Sequence, residues 1–281
     1  MTRRARRGRL RRGERMVVMA HHLFHAPRRL FSLGAFGEML DAAKSTISED
    51  LAFMRAALER FQLGTVETLP GAAGGVRYVP WRGKEAVRAL VEEVCQRLRD
   101  PSRLLPGGFL YTADIVATPR YAAALGEALA GFFEDSRPDV VLTMEVKGIP
   151  LALMVARAFD VPLVIARRGA HVTDGPAVSV NYVSGSSRLV QSMTLPLRAV
   201  PPGARVLFVD DFLRGGGTAR GVHDLMREVR AEVVGVGVLV EAAVPRPKMV
   251  DRYVSLIEFA GAGPGGEVLV SPSRWVRAGP P

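Results

Sequence analysis

A helical pattern is clearest in residues 42–61. Apolar residues recur there at intervals of three and four positions, which places them on one side of a helix. They are Ile47, Leu51, Met54, Leu58 and Phe61. Thr46 is followed three positions later by Glu49, which fits a capping box. The helix is therefore predicted to begin near Ser45 or Thr46.

Two shorter helical patterns precede this helix, at 16–26 and 33–41. A short helix, a brief turn and a longer helix form the helix-turn-helix pattern. In that motif the first turn of the last helix faces the major groove of DNA. The candidate contacts to phosphates or bases are Lys44, Ser45, Thr46 and Ser48. An ordinary three-helix packing module remains the alternative.

Two short strand patterns follow the long helix, at 65–69 and 76–79, and the turn-rich stretch PGAAGG joins them. A β-hairpin directly after a recognition helix is a wing, and Arg77 in its second strand is a further candidate contact to DNA. A boundary is predicted near Gly83. The sequence thus predicts a winged-helix DNA-binding domain over residues 16–80.

Short apolar runs alternate with helical patterns through the rest of the chain. Strands are predicted at 109–112, 140–143, 163–166, 206–209 and 233–240, and helices at 119–135, 150–159 and 218–231. The strands are apolar throughout, which is typical of a parallel sheet with helices on both faces. The predicted fold class is therefore α/β, with an N-terminal winged helix-turn-helix and a C-terminal, mainly parallel sheet. Because ligands bind at the carboxyl ends of such strands, three loops are expected to form a site. These loops are 143–149, 167–175 and 210–218.

Composition narrows the class of protein. The chain has 281 residues, of which 48% are hydrophobic, so it has room for two domains and a sizeable core. The sequence contains no apolar run of about 18 residues, so no membrane span is predicted and a cytoplasmic protein is expected. Cys95 is the single cysteine and is expected to be buried. No metal site is predicted, because His21, His22 and His25 lack ligand spacing and are expected to be helix or turn residues.

Positive charge is concentrated at the N-terminus. The net charge is +10, and residues 1–15 contain eight arginines and one glutamate. A segment of this composition is predicted to be a disordered arm. Its arginines would follow DNA phosphates, with Arg9, Arg11 and Arg12 as candidate contacts. A solubilising tail or a translation-start artefact is the alternative.

The stretch VLFVDDFLRGGGTARG (206–221) combines two carboxylates with a glycine loop before a helix. The backbone N–H groups of residues 213–218 can wrap a phosphate, and the helix dipole adds positive potential. The loop is not a Walker A motif, because no Lys–Ser/Thr pair follows its last glycine. Asp210 and Asp211 only accept hydrogen bonds when ionised, so a ribose diol suits them. A ribose 5-phosphate unit is therefore the predicted ligand, and an acidic pair that closes a buried strand is the alternative.

This stretch resembles the signature motif of the type I phosphoribosyltransferases. The resemblance implies that the ligand is phosphoribosyl pyrophosphate (PRPP). TMEVKGIPLA (143–152) is similar to the family's pyrophosphate loop, and residues 179–195 are similar to its flexible hairpin. The contacts to PRPP that the resemblance implies are Asp210, Asp211, Phe212, Leu213, Arg214, Gly215, Gly216, Gly217 and Thr218, then Val146, Lys147 and Gly148, and finally Arg167 and Arg168.

With the N-terminal module included, residues from about 15 to 260 resemble the purine operon repressors of Gram-positive bacteria. The stretches that carry the resemblance are AKSTISEDL, PGAAGGVRYVP, LPGGFLYTADI, TMEVKGIPLA, VNYVSGSSR and DDFLRGGGT. The resemblance implies a homodimer that binds operator DNA and represses purine biosynthesis genes. It also implies a type I phosphoribosyltransferase-like effector domain at 81–281, through which PRPP relieves repression.

Two residues favour binding without transferase chemistry. Phe212 is bulky and Arg214 is charged at positions where the transferases differ. An active purine phosphoribosyltransferase with an appended domain, and an RNA-binding regulator on the same fold, stay open as alternatives. No cofactor is expected beyond PRPP as effector. Mg²⁺ bound with PRPP, and a purine nucleotide or alarmone that competes for the same loops, are left open.

Overall fold

The computed structural model describes residues 10–71, 73–169, 175–183 and 189–279. The chain divides into two compact units, Met1–Gly83 and Lys84–Pro281, called here the N-terminal and C-terminal units. Predictions that concern Arg9, residues 170–174 of the predicted ligand loop and residues 184–188 of the predicted hairpin lie outside the described residues.

Helices form the core of the N-terminal unit. They are α1 (Arg12–His25), α2 (Leu33–Leu40) and α3 (Lys44–Arg60). Each buries an apolar stripe against the other two, because apolar residues three and four positions apart share a helix face. The buried residues are Met19, Leu23, Phe36, Leu40, Ile47, Leu51, Met54 and Leu58. The predicted order of short helix, turn and longer helix is confirmed, and the three N-terminal histidines lie in α1.

The ends of α3 differ from the prediction. The helix begins with Ala43 at its N-cap position, so Thr46 lies inside the first turn and its predicted capping box is wrong. Asp41 ends α2 in the left-handed region, at φ 49°, and turns the chain into α3 earlier than the cap pattern indicated. Phe61 follows the last residue of α3 and is 67% exposed, so it does not belong to the buried face.

The start of α1 also differs from the prediction. Residues 12–15, which were expected to belong to a disordered arm, form its first turn. Asp50 on α3 explains the order, because it accepts hydrogen bonds from Nε of Arg12 at 2.9 Å and Nε of Arg15 at 2.8 Å. Asp50 is buried, and a buried carboxylate needs such partners to offset its lost hydration.

The predicted wing is present as an antiparallel hairpin of β1 (Thr65–Leu69) and β2 (Gly75–Val79). Phe31 extends this hairpin through two backbone hydrogen bonds with Val76, of 2.9 and 2.8 Å. Arg55 of α3 donates to a backbone carbonyl of β1 at 2.5 Å, which ties the hairpin to the helix. The hairpin is therefore part of the folded unit.

The C-terminal unit alternates helices and strands. Its helices are α4 (Lys84–Leu98), α5 (Ala113–Val116), α6 (Pro119–Gly131), α7 (Ile149–Phe159), α8 (Gly217–Glu228) and α9 (Arg274–Ala278). Its strands are β3 (Leu104–Leu105), β4 (Phe109–Leu110), β5 (Val140–Met144), β6 (Leu163–Ala166), β7 (Ala177–Val183), β8 (Val190–Pro196), β9 (Arg205–Leu213), β10 (Glu232–Ala242), β11 (Val254–Ala262) and β12 (Val268–Pro272).

Within the described residues, six of these strands form one sheet in the order β12-β11-β10-β9-β5-β6. All neighbouring pairs are parallel except β11 with β12, so the predicted mainly parallel sheet is confirmed. The predicted strand at 109–112 is only partly a strand, and it does not join the sheet. Its residues 109 and 110 form β4, which pairs with β3 in a separate hairpin.

The sheet is covered on both faces, as its apolar strands predict. Along β9, Leu207 and Val209 pack in a cluster with α4, α6 and α7. Val206 and Phe208 pack in a second cluster with α8 and the antiparallel hairpin of β7 and β8. This alternation follows from the period of two in a strand. The start of α8 lies beside the carboxyl end of β9 because the helix begins four residues after the strand ends.

Cys95 lies in α4 and is buried, as predicted. Burial raises the pKa of its thiol to about 12, so it packs as a small apolar group. Among the residues that the structure describes, no helix is both long enough and apolar enough to span a membrane.

Candidate functional site

A cavity of about 580 Å³ opens at the carboxyl end of the central strand β9. The strand continues past the predicted range 206–209 as far as Leu213, so Asp210 and Asp211 lie within it. The glycine loop (214–218) follows and leads into α8. We call this cavity the Asp210 pocket, and its size suits a small-molecule ligand.

The structure gathers the predicted PRPP contacts around this pocket, except for two. All line it apart from Gly148 and Arg167. Gly148 packs behind the pocket, where a Cβ atom would lie 2.6 Å from Oδ1 of Asp210, so a larger residue would displace that carboxylate. The backbone of Arg167 pairs with Thr194 on β8, through hydrogen bonds of 3.0 and 2.7 Å. Both residues therefore shape the site from outside the cavity.

The two carboxylates are adjacent and partly desolvated. Oδ1 of Asp210 accepts the backbone N–H of Asp211 at 2.9 Å, and the Thr112 hydroxyl lies 3.5 Å from Oδ2 of Asp211. Burial, and then the charge of Asp211, raise the pKa of Asp210 well above its usual value. Burial also raises the pKa of Asp211, while Asp210 and Lys147 oppose the rise. Such a pair is stabilised in its ionised form by hydroxyl donors, and a vicinal diol supplies two.

The glycine loop is held from behind. Lys248 donates from Nζ to the carbonyl of Arg214, and the N–H of Met249 donates to the carbonyl of Gly215 at 2.8 Å. In a trans peptide the C=O and the N–H point in opposite directions, so the next two N–H groups point away from this support. Gly216 has φ +88°, and a Cβ atom there would lie 3.1 Å from the Met249 nitrogen. These contacts leave the backbone donors of the loop available to an anion at the N-terminus of α8.

The second predicted loop connects β5 to α7 on another side of the pocket. Glu145 holds it in place, because its carboxylate accepts the backbone N–H of Arg168 at 2.8 Å. The peptide bond between Glu145 and Val146 is cis. Val146 and Lys147 are exposed, and α7 begins directly afterwards with Gly148 at its N-cap position. A cation beside the N-terminus of a helix suits a pyrophosphate.

Sequence reasoning missed eleven of the residues that line the pocket. The missed lining residues are Leu105, Pro106, Phe109, Leu110, Met144, Glu145, Tyr182, Gln191, Phe208, Ala219 and Val238. Phe109 in the β3–β4 hairpin lies under the Arg214 guanidinium, 5.2 Å from it. Tyr182 of β7 donates to Oε1 of Gln191 at 3.0 Å. The stretches LPGGFLYTADI and VNYVSGSSR were the available signals, since they contain five of these residues, and four of the five precede Tyr111 in or beside the β3–β4 hairpin.

No group of three or more His, Cys, Asp or Glu side chains that could hold a metal ion occurs in the described part of the chain.

The first turn of α3 forms a separate polar surface on the N-terminal unit. Lys44, Ser45 and Ser48 are exposed there, and Thr46 is half-buried. Because the N-cap residue Ala43 makes no side-chain hydrogen bond, the backbone N–H groups of this turn have no cap. The predicted residues therefore lie together at a helix N-terminus that suits phosphate.

The predicted arginines are arranged differently. Arg77 forms a cross-strand ion pair with Glu67 at 2.7 Å. Arg12 pairs with Asp50 and lies 3.7 Å from the ring centre of Phe53. Arg11 is exposed. The structure thus engages two of the predicted DNA contacts in ion pairs within the unit.

Comparisons with known proteins match both units. A family model described as "Bacterial purine repressor, N-terminal" matches residues 11–80, and one described as "Phosphoribosyl transferase domain" matches residues 112–263. The chain is 42% identical over 250 residues to the purine biosynthesis transcriptional repressor PurR of Bacillus subtilis, covering 89% of this chain and 88% of that protein. It is 39% identical over 249 residues to the purine biosynthesis transcriptional activator PurR of Lactococcus lactis, covering 89% and 92%.

A solved structure supports the fold of the C-terminal unit. The adenine phosphoribosyltransferase of Thermoanaerobacter pseudethanolicus superimposes with a TM-score of 0.53 at 22% identity. The match covers 60% of this chain and 99% of that enzyme. At this identity the likeness concerns the fold alone.

Proposed function

This chain belongs to the PurR family of bacterial purine biosynthesis transcriptional regulators, and from that premise we propose that it is a DNA-binding repressor whose operator binding is relieved by PRPP. One observation carries the proposal. A chain with a winged helix-turn-helix unit also contains a pocket in which two carboxylates lie beside a glycine loop at a helix N-terminus. The first unit suits DNA and the second suits a phosphorylated ribose.

The assignment of PRPP to the Asp210 pocket follows from charge. The ribose diol donates to Asp210 and Asp211, which offsets the unfavourable ionisation of that pair. The 5-phosphate binds the donors of the glycine loop (214–218), and the pyrophosphate lies near Lys147 and Arg168. A Mg²⁺ ion at the site would arrive on the pyrophosphate of PRPP.

We further propose that the C-terminal unit binds PRPP without transferring its ribosyl group. Phe212 lines the pocket and contacts Phe259 with ring centres 6.3 Å apart, so an aromatic ring lies next to the ribose position. Arg214 adds a positive charge within the glycine loop. This added charge favours retention of an anionic ligand over exchange of products.

Relief of repression requires differential binding. PRPP weakens operator binding only if it binds the DNA-competent state of the chain less tightly than the state that does not bind DNA. A tenfold loss of operator affinity corresponds to about 1.4 kcal/mol of coupling free energy. A purine nucleotide or alarmone with phosphates fits the same loops, and we propose that it competes with PRPP. We also propose a homodimer that acts in the cytoplasm, where operator DNA is found.

A DNA-binding titration tests the main proposal. The full chain is titrated against a fluorescent promoter fragment of a purine biosynthesis gene, with a shuffled fragment as control and PRPP or ribose 5-phosphate as additives. We expect preference for the promoter and at least a tenfold loss of affinity with PRPP. Equal affinity for both fragments, or no effect of PRPP, would contradict the proposal.

Three further measurements separate the alternatives. In vitro transcription shows the direction of regulation. A rise in transcription on addition of the chain would make it an activator instead of a repressor, and the Lactococcus relative is named as an activator. Incubation of PRPP with hypoxanthine, guanine, xanthine or adenine tests for enzyme activity. Turnover at about 1–1000 per second would make the chain a transferase. RNA affinity that exceeds promoter affinity would make it an RNA-binding regulator.

A further inference from the structure

The connection between β10 and β11 passes directly behind the glycine loop. We call residues 243–250 of this connection the support segment. Its Lys248 donates from Nζ to two backbone carbonyls, that of Ala242 at 2.6 Å and that of Arg214. The next residue, Met249, donates its N–H to Gly215. Two successive residues of the support segment thus hold two successive peptides of the glycine loop.

The Lys248 side chain differs from an ordinary surface lysine. It is half-buried, and burial lowers the pKa of its ammonium group. Its two carbonyl partners belong to different elements, since Ala242 is the last residue of β10 and Arg214 begins the glycine loop. An ammonium group placed between them fixes the distance from the end of the sheet to the loop. This contact orients the loop without reaching the ligand itself.

The support segment is itself anchored on a buried carboxylate. Glu241 is 1% exposed, and it accepts the Tyr253 hydroxyl at 2.6 Å and the Ser255 hydroxyl at 2.7 Å. Arg246, within the segment, pairs with the same carboxylate at 3.6 Å. Glu241 precedes the segment, and Tyr253 and Ser255 follow it. The chain from Glu241 to Ser255 therefore closes on the Glu241 carboxylate, and we call this closed stretch the Glu241 frame. Lys248 projects from the frame to the glycine loop.

We propose that Lys248 is a positioning residue for the 5-phosphate half of PRPP, and that the Glu241 frame keeps it in place. The proposal rests on the proposed function, because it assigns the glycine loop to the ribose 5-phosphate. Lys248 holds the Arg214 carbonyl on the far side, which turns the following N–H towards the phosphate. The second loop is held by other contacts, those of Glu145 with Arg168 and Ala166. Loss of the Lys248 side chain should thus weaken binding of the 5-phosphate half of PRPP and leave binding of the pyrophosphate half unchanged.

The test separates the two halves of PRPP. Lys248→Met removes the donors and keeps an unbranched side chain of similar length, whereas Lys248→Arg retains donors. Arg252→Met, an exposed cation on the same connection, is the matched control. Calorimetry measures binding of PRPP, ribose 5-phosphate and pyrophosphate to each full-length variant. For Lys248→Met we expect about a tenfold loss of affinity for PRPP and ribose 5-phosphate, and unchanged affinity for pyrophosphate. Lys248→Arg should recover most of the loss.

A second variant covers the case in which Lys248→Met does not fold. Arg246→Met removes the partly exposed ion pair at the other end of the frame, and we expect the same selective loss at about threefold. Equal weakening of ribose 5-phosphate and pyrophosphate would make the role merely structural and overturn the proposal. Unchanged affinity for both would overturn it as well. If the unaltered chain binds neither PRPP nor ribose 5-phosphate, the proposed function fails first and the positioning role fails with it.

Discussion

The Asp210 pocket and the N-terminal unit use charge in opposite ways. In the pocket, the carboxylates of two successive residues share a partly buried site, and burial raises the pKa of both. On the N-terminal unit, Arg12 and Arg77 are paired with Asp50 and Glu67. The pocket thus keeps an unfavourable arrangement that a ligand can relieve, whereas the N-terminal unit satisfies several of its charges internally. Charge counted along a sequence therefore overstates what is available for binding.

This comparison also separates stability from function. Asp50 lies in the DNA-binding unit but joins α1 to α3, so its role is structural. Asp210 and Asp211 lie in a well-packed sheet but are poorly suited to the protein's own stability. Substitution of Asp50 should therefore lower the stability of the N-terminal unit, whereas substitution of Asp210 or Asp211 should not lower the stability of the C-terminal unit.

The largest effect is expected for Asp50→Ala. The change leaves Arg12 and Arg15 without their common carboxylate, and breaking a buried pair costs about 3 kcal/mol of unfolding free energy. Denaturant unfolding of the N-terminal transition measures this. Glu49→Ala, at the adjacent exposed position, is the control and should change stability by less than about 0.5 kcal/mol. Similar effects of both variants would show that the two arginines do not depend on Asp50.

The next effect is on ligand binding. Asp211→Asn removes a charged acceptor for the ribose diol. The binding free energy of PRPP should therefore become about 2 kcal/mol less favourable, which is a loss of affinity of about thirtyfold. Operator affinity without PRPP should stay unchanged, so the variant would remain bound to DNA when PRPP is added. Calorimetry and the promoter titration measure the two quantities. Asp251→Asn, an exposed acid on the C-terminal unit, is the control. Normal release of the Asp211 variant by PRPP would contradict the ribose assignment.

A smaller effect is expected on the pH dependence of stability. The pKa of Asp210 is raised on folding, so the folded chain binds more protons than the unfolded chain between the two pKa values. The free energy of unfolding should therefore fall as pH rises through the folded-state pKa. Asp210→Asn removes this loss, and at neutral pH it should stabilise the C-terminal unit by an amount on the order of 1 kcal/mol. Denaturant unfolding measures this change between about pH 4, close to the ordinary pKa of Asp, and about pH 8. A less stable variant at neutral pH would show that the carboxylate is favourable when ionised.

The smallest effect is expected on the N-terminal surface. Lys44→Ala removes one cation from the first turn of α3, which should weaken operator binding by about 1 kcal/mol and reduce the salt slope by about one. Arg60→Ala, at the other end of the same helix, is the matched control. Promoter titrations at several salt concentrations measure both. If Arg60→Ala has the larger effect, the DNA-facing end of α3 has been assigned wrongly.

Much of the fold could be predicted because its signals are local. The apolar spacing in α3 and the apolar runs of β5, β6, β9 and β10 specify elements without knowledge of their partners. The ends of elements were less predictable. Thr46 has the sequence of a cap, yet the chain enters α3 earlier because Asp41 turns it there. The strand β9 runs on through both acids, because pairing with β10 continues as far as Leu213.

The site shows the same division. The contiguous motif of two acids and a glycine loop identified nine of the residues that line the Asp210 pocket. The support by Lys248 and the cover by Phe109 were missed, because residues so distant along the chain meet the loop only after the sheet has formed. Arg167 was predicted as a contact, but the pairing of its backbone with β8 keeps it outside the cavity.

The sequence by itself determined the division into two units, the parallel sheet and the place of the glycine loop between a strand and a helix, since each depends on patterns within short stretches. Only the tertiary structure decided which charges remain available to ligands. Asp50 is remote from Arg12 and Arg15 in sequence, and Lys248 is remote from Arg214, so their pairing depends on how helices and strands pack. Coulombic and hydrogen-bonding contacts act over a few ångströms, and distances of that size between remote residues are set by the fold.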